Sequence, residues 1–290
     1  MKILCPTDFS GCSIKAVQFA AYISAHLNGK LNLLHVVQPQ DYFNDTTPIS
    51  MKTGFEMNSG TQSHKTQIQA AKEANTKLTQ IAQRIAQGVY HTCDVQGTLA
   101  VFGEAVECVN AFAKKNNIDL IVTGTVGASG LKEVFVGSNT SKMVTNSPCD
   151  VLVVPRNINK MQVKHVFFGI ESYEADDLKM VERAITFSRA FKAFCHIVHI
   201  DTKHKKDDDD TKYEIKIDID TDYENHAVET VYMEKKAQNI ESVIAEYIKL
   251  KKIDVCVMYR KHRNFFQRLT HKSQTKKMAL HTTVPLLILK

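Results

Sequence analysis

The sequence predicts an α/β protein made of two tandem doubly wound domains. Three observations carry the prediction. Apolar strand-like runs alternate with helical stripes over the first 156 residues, the same rhythm restarts near residue 162, and a glycine-bearing loop follows the fourth apolar run. Strands separated by helices favour a mostly parallel sheet covered on both faces, because a parallel connection needs a crossover and a helix supplies it. A length of 290 residues suits two domains, each able to bury its own core.

The elements follow in order. Residues 2–5 read as a short strand ending at Pro6. Ser10 offers an N-cap, and Ile14, Val17, Phe19, Ala20, Ala21, Ile23 and Leu27 form the apolar stripe of a first helix that Gly29 can end. Residues 31–37 are a second, buried-looking strand. The stretch 38–60 has no period and reads as a long loop, whereas 67–86 contains little that breaks a helix. A third strand is expected at 90–99, a helix at 104–116, a fourth strand at 120–123, a short helix at 138–145 and a fifth strand at 151–154.

The second half repeats the pattern. Strands are expected at 163–168, 193–200, 253–258 and 284–289, with a helix at 177–191. His199-Ile200 echoes His35-Val36, and an offset of 135 residues places Met278 on Met143 and Ser273 on Ser138. Such self-similarity implies an internal duplication. The copies differ in the middle. Residues 201–225 include the acidic run Asp207 to Asp210, lack the long helix, and are expected to hold a solvated loop with a short strand at 213–219.

Composition narrows the function classes. Hydrophobic residues make up 43% and charged residues 23%, and no apolar run nears the roughly 20 residues that span a bilayer. Met1 leads straight into the first strand without the layout of a signal peptide, so a cytoplasmic protein is expected. The seven cysteines show no C-x-x-C pair and are expected to be reduced thiols, with no zinc pattern among them. The first 156 residues carry 13 Lys and Arg against 11 Asp and Glu, and the remainder 24 against 20. That excess is too mild and mixed to imply nucleic-acid binding.

The chemistry-bearing constellation is Gly124-Thr125-Val126-Gly127, nine further residues, then Gly137-Ser138, placed between a strand and a helix. Glycines let a backbone turn sharply and approach a phosphate, and free amides at a helix N-terminus favour an anion. There is no G-x4-G-K-[ST], and no G-x-G-x-x-G after the first strand, so neither a P-loop nor a dinucleotide fingerprint is present. Glycines that merely shape a loop would give the same spacing. The turn Pro6-Thr7-Asp8-Phe9-Ser10 sits at the same end of the sheet, where ligands of doubly wound folds bind. There Asp8 can accept hydrogen bonds from a base or ribose, hold a metal through water, or simply cap the helix.

Taken together, P-T-D-F-S after the first strand, Leu34-His35-Val36 in the second, and G-x2-G-x9-G-S before a helix and a V-L-V-V strand resemble the universal stress protein family. The resemblance covers residues 1 to about 156, and the rest more weakly. It implies a five-stranded parallel sheet of order 3-2-1-4-5 in each copy, with ATP, with or without Mg²⁺, at the carboxyl edge. Residues 1–156 would be the ATP-binding domain and 162–290 a degenerate copy. Carried over residue by residue, Pro6, Thr7 and Asp8 would meet the adenine and ribose, and Val36 would pack on the base. Thr123, Gly124 and Gly127 would line the ribose and phosphate side. Gly137, Ser138, Asn139 and Thr140 would bind phosphates. Thr123 stands where the family often has an apolar residue, and Gly103-Glu104 is expected near the site rather than in it.

The second copy departs from this pattern. Tyr259, His262 and Lys272 replace Gly124, Gly127 and Gly137, and Ile170-Glu171 replaces Thr7-Asp8. Side chains there would fill phosphate space, so no second ATP site is expected. Between Met258 and Met278 the second copy instead carries Arg260, Lys261, Arg263, Arg268, Lys272, Lys276 and Lys277 with no acidic residue. The reading that results is an ATP-dependent sensor or regulator of the stress response. The alternatives are a slow ATPase using Asp8 or His35, and an anion- or nucleic-acid-binding protein using the basic loop. The family commonly pairs through its last strand. The two copies are therefore expected to pair across 151–154 and 286–289 as an internal pseudo-dimer, leaving room for a homodimer of chains.

Overall fold

The computed structural model describes residues 1–38, 60–125, 137–170, 175–201, 228–234, 240–259 and 284–290. The first copy runs β1 (Lys2–Pro6), α1 (Gly11–His26), β2 (Lys30–Val37), α2 (Gly60–Ala86), β3 (Asp94–Phe102), α3 (Ala105–Asn116), β4 (Leu120–Gly124), α4 (Ser138–Asn146) and β5 (Asp150–Val154). The second runs β6 (His165–Ile170), α5 (Ala175–Ala190), β7 (Phe194–Asp201), β8 (Val228–Glu234), α6 (Ile240–Leu250), β9 (Val255–Tyr259) and β10 (Leu286–Leu289).

The strands form one ten-stranded sheet ordered β3-β2-β1-β4-β5-β10-β9-β6-β7-β8. Each copy is parallel within itself, in the order 3-2-1-4-5 of its own strands. The join is antiparallel, with Leu286 opposite Val153, Leu287 opposite Leu152 and Ile288 opposite Val151. Two last strands that would otherwise be open edges thereby satisfy each other's backbone.

Alternation along the strands sorts the core into two layers. On one face α1, α2 and α5 cover Ile3, Leu31, Leu33, Val122, Leu152, Val166, Ile197, Val257 and Leu287, a single apolar cluster running across both copies. On the other face α3 and α4 cover Leu4, Leu34 and Ile121, and α6 covers Phe167, Val198 and Cys256. β5 serves both layers, with Leu152 and Val154 facing one and Val151 and Val153 the other.

The duplication extends to individual hydrogen bonds. Asp119 donates its amide to the Lys2 carbonyl at 2.9 Å and accepts the Lys2 amide on its carboxylate at 2.6 Å. Asp254 repeats this with His165, at 2.8 and 3.0 Å. Asn28 and Lys192 close α1 and α5 in the left-handed region at φ 48° and 53°, and Asn117 and Lys252 close α3 and α6 at 50° and 53°. A chain that repeats its caps at matching turns has repeated a structural unit, not only a composition.

Side chains fasten the two copies together. Arg183 on α5 donates to the Asp150 carboxylate at 2.5 Å and to the Lys290 carbonyl at 2.7 Å, while the Lys290 amide donates to Asp150 at 3.0 Å. Burial pushes the Asp150 carboxyl above its ordinary range, and Arg183 and the Lys290 amide pull it part of the way back. Tyr22 of α1 accepts the Val163 amide on its hydroxyl at 3.0 Å.

Several local expectations shift. The N-cap at Ser10 forms, its hydroxyl accepting the Ser13 amide. The left-handed residue ending α1 is Asn28, not Gly29; a Cβ on Gly29 would sit 3.1 Å from Ile3, so Gly29 serves close packing. α2 begins seven residues before the expected position 67. The third strand lies at 94–102 rather than 90–99, because pairing with β2 from Lys30 opposite Asp94 to Val37 opposite Phe102 sets it. Tyr90 is used instead in the turn after α2, its amide and hydroxyl both bonded to Arg84. α6 had no counterpart in the sequence reading. In the second copy the third strand is β8 at 228–234; the expected strand at 213–219 and the loop at 38–60, apart from Gln38 and Gly60, lie outside the described residues.

Candidate functional site

The carboxyl ends of β1, β2 and β4 meet at one edge of the first copy. β1 is followed by a tight turn. The Thr7 amide donates to the Leu34 carbonyl at 2.8 Å, tying the turn to β2. The Thr7 hydroxyl is buried, 3.0 Å from the Ser13 hydroxyl, and accepts the Phe9 amide at 3.1 Å. Asp8 is exposed and accepts the Ser10 amide at 3.0 Å. These side-chain-to-backbone bonds hold Phe9 at φ 62°, a conformation a bulky residue adopts only when its surroundings enforce it.

β2 contributes His35 and Val36. His35 Nδ1 lies 2.7 Å from the Thr7 carbonyl; a carbonyl only accepts, so Nδ1 carries the hydrogen and, in the neutral ring, Nε2 is the acceptor. The ring stacks on Phe9 at 4.4 Å and 26°. From α2, Lys77 places its ammonium 5.3 Å from the Phe9 ring centre, a cation–π contact.

β4 delivers Thr123 and Gly124, and Thr125 follows it, all three buried. The Thr125 amide donates to Val154, and Gly137 donates to Thr125 at 2.6 Å, so the base of the glycine loop is pinned shut. Gly137 is the N-cap of α4. The first intrahelical bond is from Ser141 to Gly137, which leaves the amides of Ser138, Asn139 and Thr140 without an intrahelical partner.

A cleft of about 740 Å³ occupies this edge, within the usual range for small-molecule sites. Its walls include Pro6, Thr7, Asp8, Val36, Thr123, Gly124, Gly137, Ser138, Asn139 and Thr140. Ten of the eleven predicted residues therefore surround one space, and Gly127 lies outside the described residues. Glu104 also lines the cleft, rather than only standing near it.

Two predicted roles change. The missing Cβ of Gly124 faces α1: a Cβ there would lie 2.9 Å from the Cys12 sulfur, so this glycine lets β4 and α1 approach. The Thr140 hydroxyl is buried and donates to the Gly124 carbonyl at 2.8 Å, so Thr140 offers the cleft its backbone amide rather than its side chain. The sequence reading also missed Phe9, Ser13, Glu73 and Lys77 as wall residues. Phe9 lies within the singled-out turn and Ser13 three residues past it, so both were legible from it; Glu73 and Lys77 depend on how α2 docks, which no local pattern states.

The equivalent edge of the second copy differs. Tyr259 ends β9 opposite Leu289, as Gly124 ends β4 opposite Val154. Its half-buried ring packs against the shared core. Ile170, in the place of Thr7, is buried and apolar. Glu171, His262, Lys272 and the rest of the basic stretch 260–283 lie outside the described residues. Also among the described residues, no helix is long and apolar enough to cross a membrane.

Comparison with known proteins agrees with the geometry. The family model of the universal stress protein family matches residues 1–155 and again 162–290. The chain is 30% identical over 155 residues to universal stress protein MJ0531 of Methanocaldococcus jannaschii, covering 53% of this chain and 82% of that one. It is 30% identical over 156 residues to the universal stress protein A homolog 1 of Coxiella burnetii, covering 52% and 94%. A solved universal stress protein from Archaeoglobus fulgidus shares the fold over 100% of this chain and 96% of its own, with a TM-score of 0.68 at 16% identity. With both copies matched, one sheet running through them and the glycine loop in the first, the chain belongs to the universal stress protein family as a tandem member.

Proposed function

We propose that this protein binds one ATP in the cleft of its first copy and acts as a nucleotide-dependent sensor or regulator in the stress response, within the cytoplasm. The observation that carries the reading is the convergence of the P-T-D turn, the end of β2 and the N-terminus of α4 on one cleft large enough for a nucleotide. The unpartnered first-turn amides of α4 suit phosphate oxygens, since they combine hydrogen bonding with the positive end of the helix dipole. That puts the phosphates beside Ser138, Asn139 and Thr140, and the base toward Val36 and the β1 turn. Among the described residues no three His, Cys, Asp or Glu side chains gather as a metal cage. Any Mg²⁺ would therefore enter on the phosphates, with Asp8 as an outer partner. The packed Tyr259 and buried Ile170 support a second copy that keeps the fold and has given up the ligand.

Purified protein should retain, or take up on titration, one nucleotide per chain, identified by mass spectrometry after denaturation. Two equivalents per chain would show that the second copy is open. Asp8→Ala should weaken ATP binding by roughly tenfold while the melting temperature changes little, because Asp8 is exposed and its bond to the Ser10 amide is local to the turn. Unchanged affinity by calorimetry would remove Asp8 from the site.

A further inference from the structure

A second concavity, of about 640 Å³, lies at the seam between the copies, where the end of α1, the linker before β6 and the α5–β7 turn come together. Its charge is one-sided. His26, Lys164, His165 and Lys192 stand on its walls, and no lining residue is acidic. Lys164 and Lys192 are exposed, and among the described residues neither is ion-paired. Asp254, which does not line the groove, accepts the amides of Lys164 and His165 on its carboxylate at 2.7 and 3.0 Å. His26 Nδ1 lies 2.9 Å from the Tyr22 carbonyl and so carries its hydrogen there. Part of the wall is aromatic: His26 is stacked on Phe191 at 5.1 Å and 22°, and Tyr22 lies 4.3 Å from His26.

We propose that this seam groove is a binding site for a small aromatic anion, a flat ring bearing a phosphate or carboxylate. The acidic group would meet the ammonium groups of Lys164 and Lys192, and the ring would cover the His26–Phe191 stack. The walls come from both copies, so an occupant would add a further tie to the strand pairing and to the Arg183 and Tyr22 bonds. This site is separate from the nucleotide cleft, and the proposal does not rest on ATP binding there.

The test is calorimetric titration of the full chain with phenyl phosphate. The unmodified protein should bind one equivalent. The Lys164→Glu/Lys192→Glu double variant should bind at least roughly tenfold more weakly, since each reversal removes an attraction and adds a repulsion. Both lysines are exposed, so the variant should keep its circular dichroism spectrum and elution volume. Gly137→Glu, which alters only the nucleotide cleft, should bind phenyl phosphate as the unmodified protein does. No binding by the unmodified protein, undiminished affinity in the double variant, or loss of binding in Gly137→Glu would each overturn the proposal.

Discussion

ATP binding is expected to fall at least about a hundredfold in Gly137→Glu, because a carboxylate at the mouth of α4 would face the phosphates it is proposed to hold, and such like-charge contact costs several kcal/mol. The substitution is informative because the backbone tolerates it. Gly137 has φ −57° and ψ 156°, a region open to any residue, and its amide and carbonyl bonds to Thr125 and Ser141 are main-chain. Affinity should therefore change with little change in melting temperature. Gly127→Glu is also expected to lower ATP affinity. Gly124→Ala is the contrasting case: its new methyl would meet the Cys12 sulfur at 2.9 Å, so the effect should appear first in stability. If Gly137→Glu and Gly127→Glu both retain ATP affinity, the phosphate end lies elsewhere.

The second large effect concerns the seam. Leu287 lies opposite Leu152 across the antiparallel join, is 3% exposed, and belongs to the apolar cluster that spans both copies. Leu287→Asp would put an unpaired carboxylate there. The expected cost is about 3–5 kcal/mol, a large part of the roughly 5–15 kcal/mol that stabilises a domain. The urea midpoint should drop sharply. Leu250→Asp, at a position 74% exposed, should leave it nearly unchanged. Equal midpoints for the two variants would mean that the β5–β10 pairing does not hold the copies together.

Much of this was legible before any coordinates. Strand runs such as 31–37 and 120–123 are mostly apolar because both faces of a central parallel strand are buried, and that signal survives in sequence. The glycine loop and the P-T-D turn were legible because each is local: the turn's hydrogen bonds from Phe9 to Thr7 and from Ser10 to Asp8 span two residues. β3 was misplaced because an edge strand exposes one side and carries a weak apolar pattern, so its limits come from its partner. Glu73 and Lys77 were not assigned to the cleft walls because a side chain's neighbours across a fold leave no periodic trace.

By itself the sequence determined that the chain alternates strands and helices, that it does so twice, and that only the first copy keeps the glycines of a phosphate cradle. Those properties reside in spacing and residue type, which act over one or two turns of chain. The tertiary structure alone decided that Gly124 serves the contact with Cys12, that Thr140 gives its hydroxyl to the Gly124 carbonyl, and that Tyr22, Phe191 and Lys164 share a groove. It also decided that the expected pairing of last strands makes a single ten-stranded sheet. Each of these joins residues that are distant in sequence. Such contacts follow from how whole elements dock to bury apolar surface and satisfy strand edges, a condition on the complete chain rather than on any segment of it.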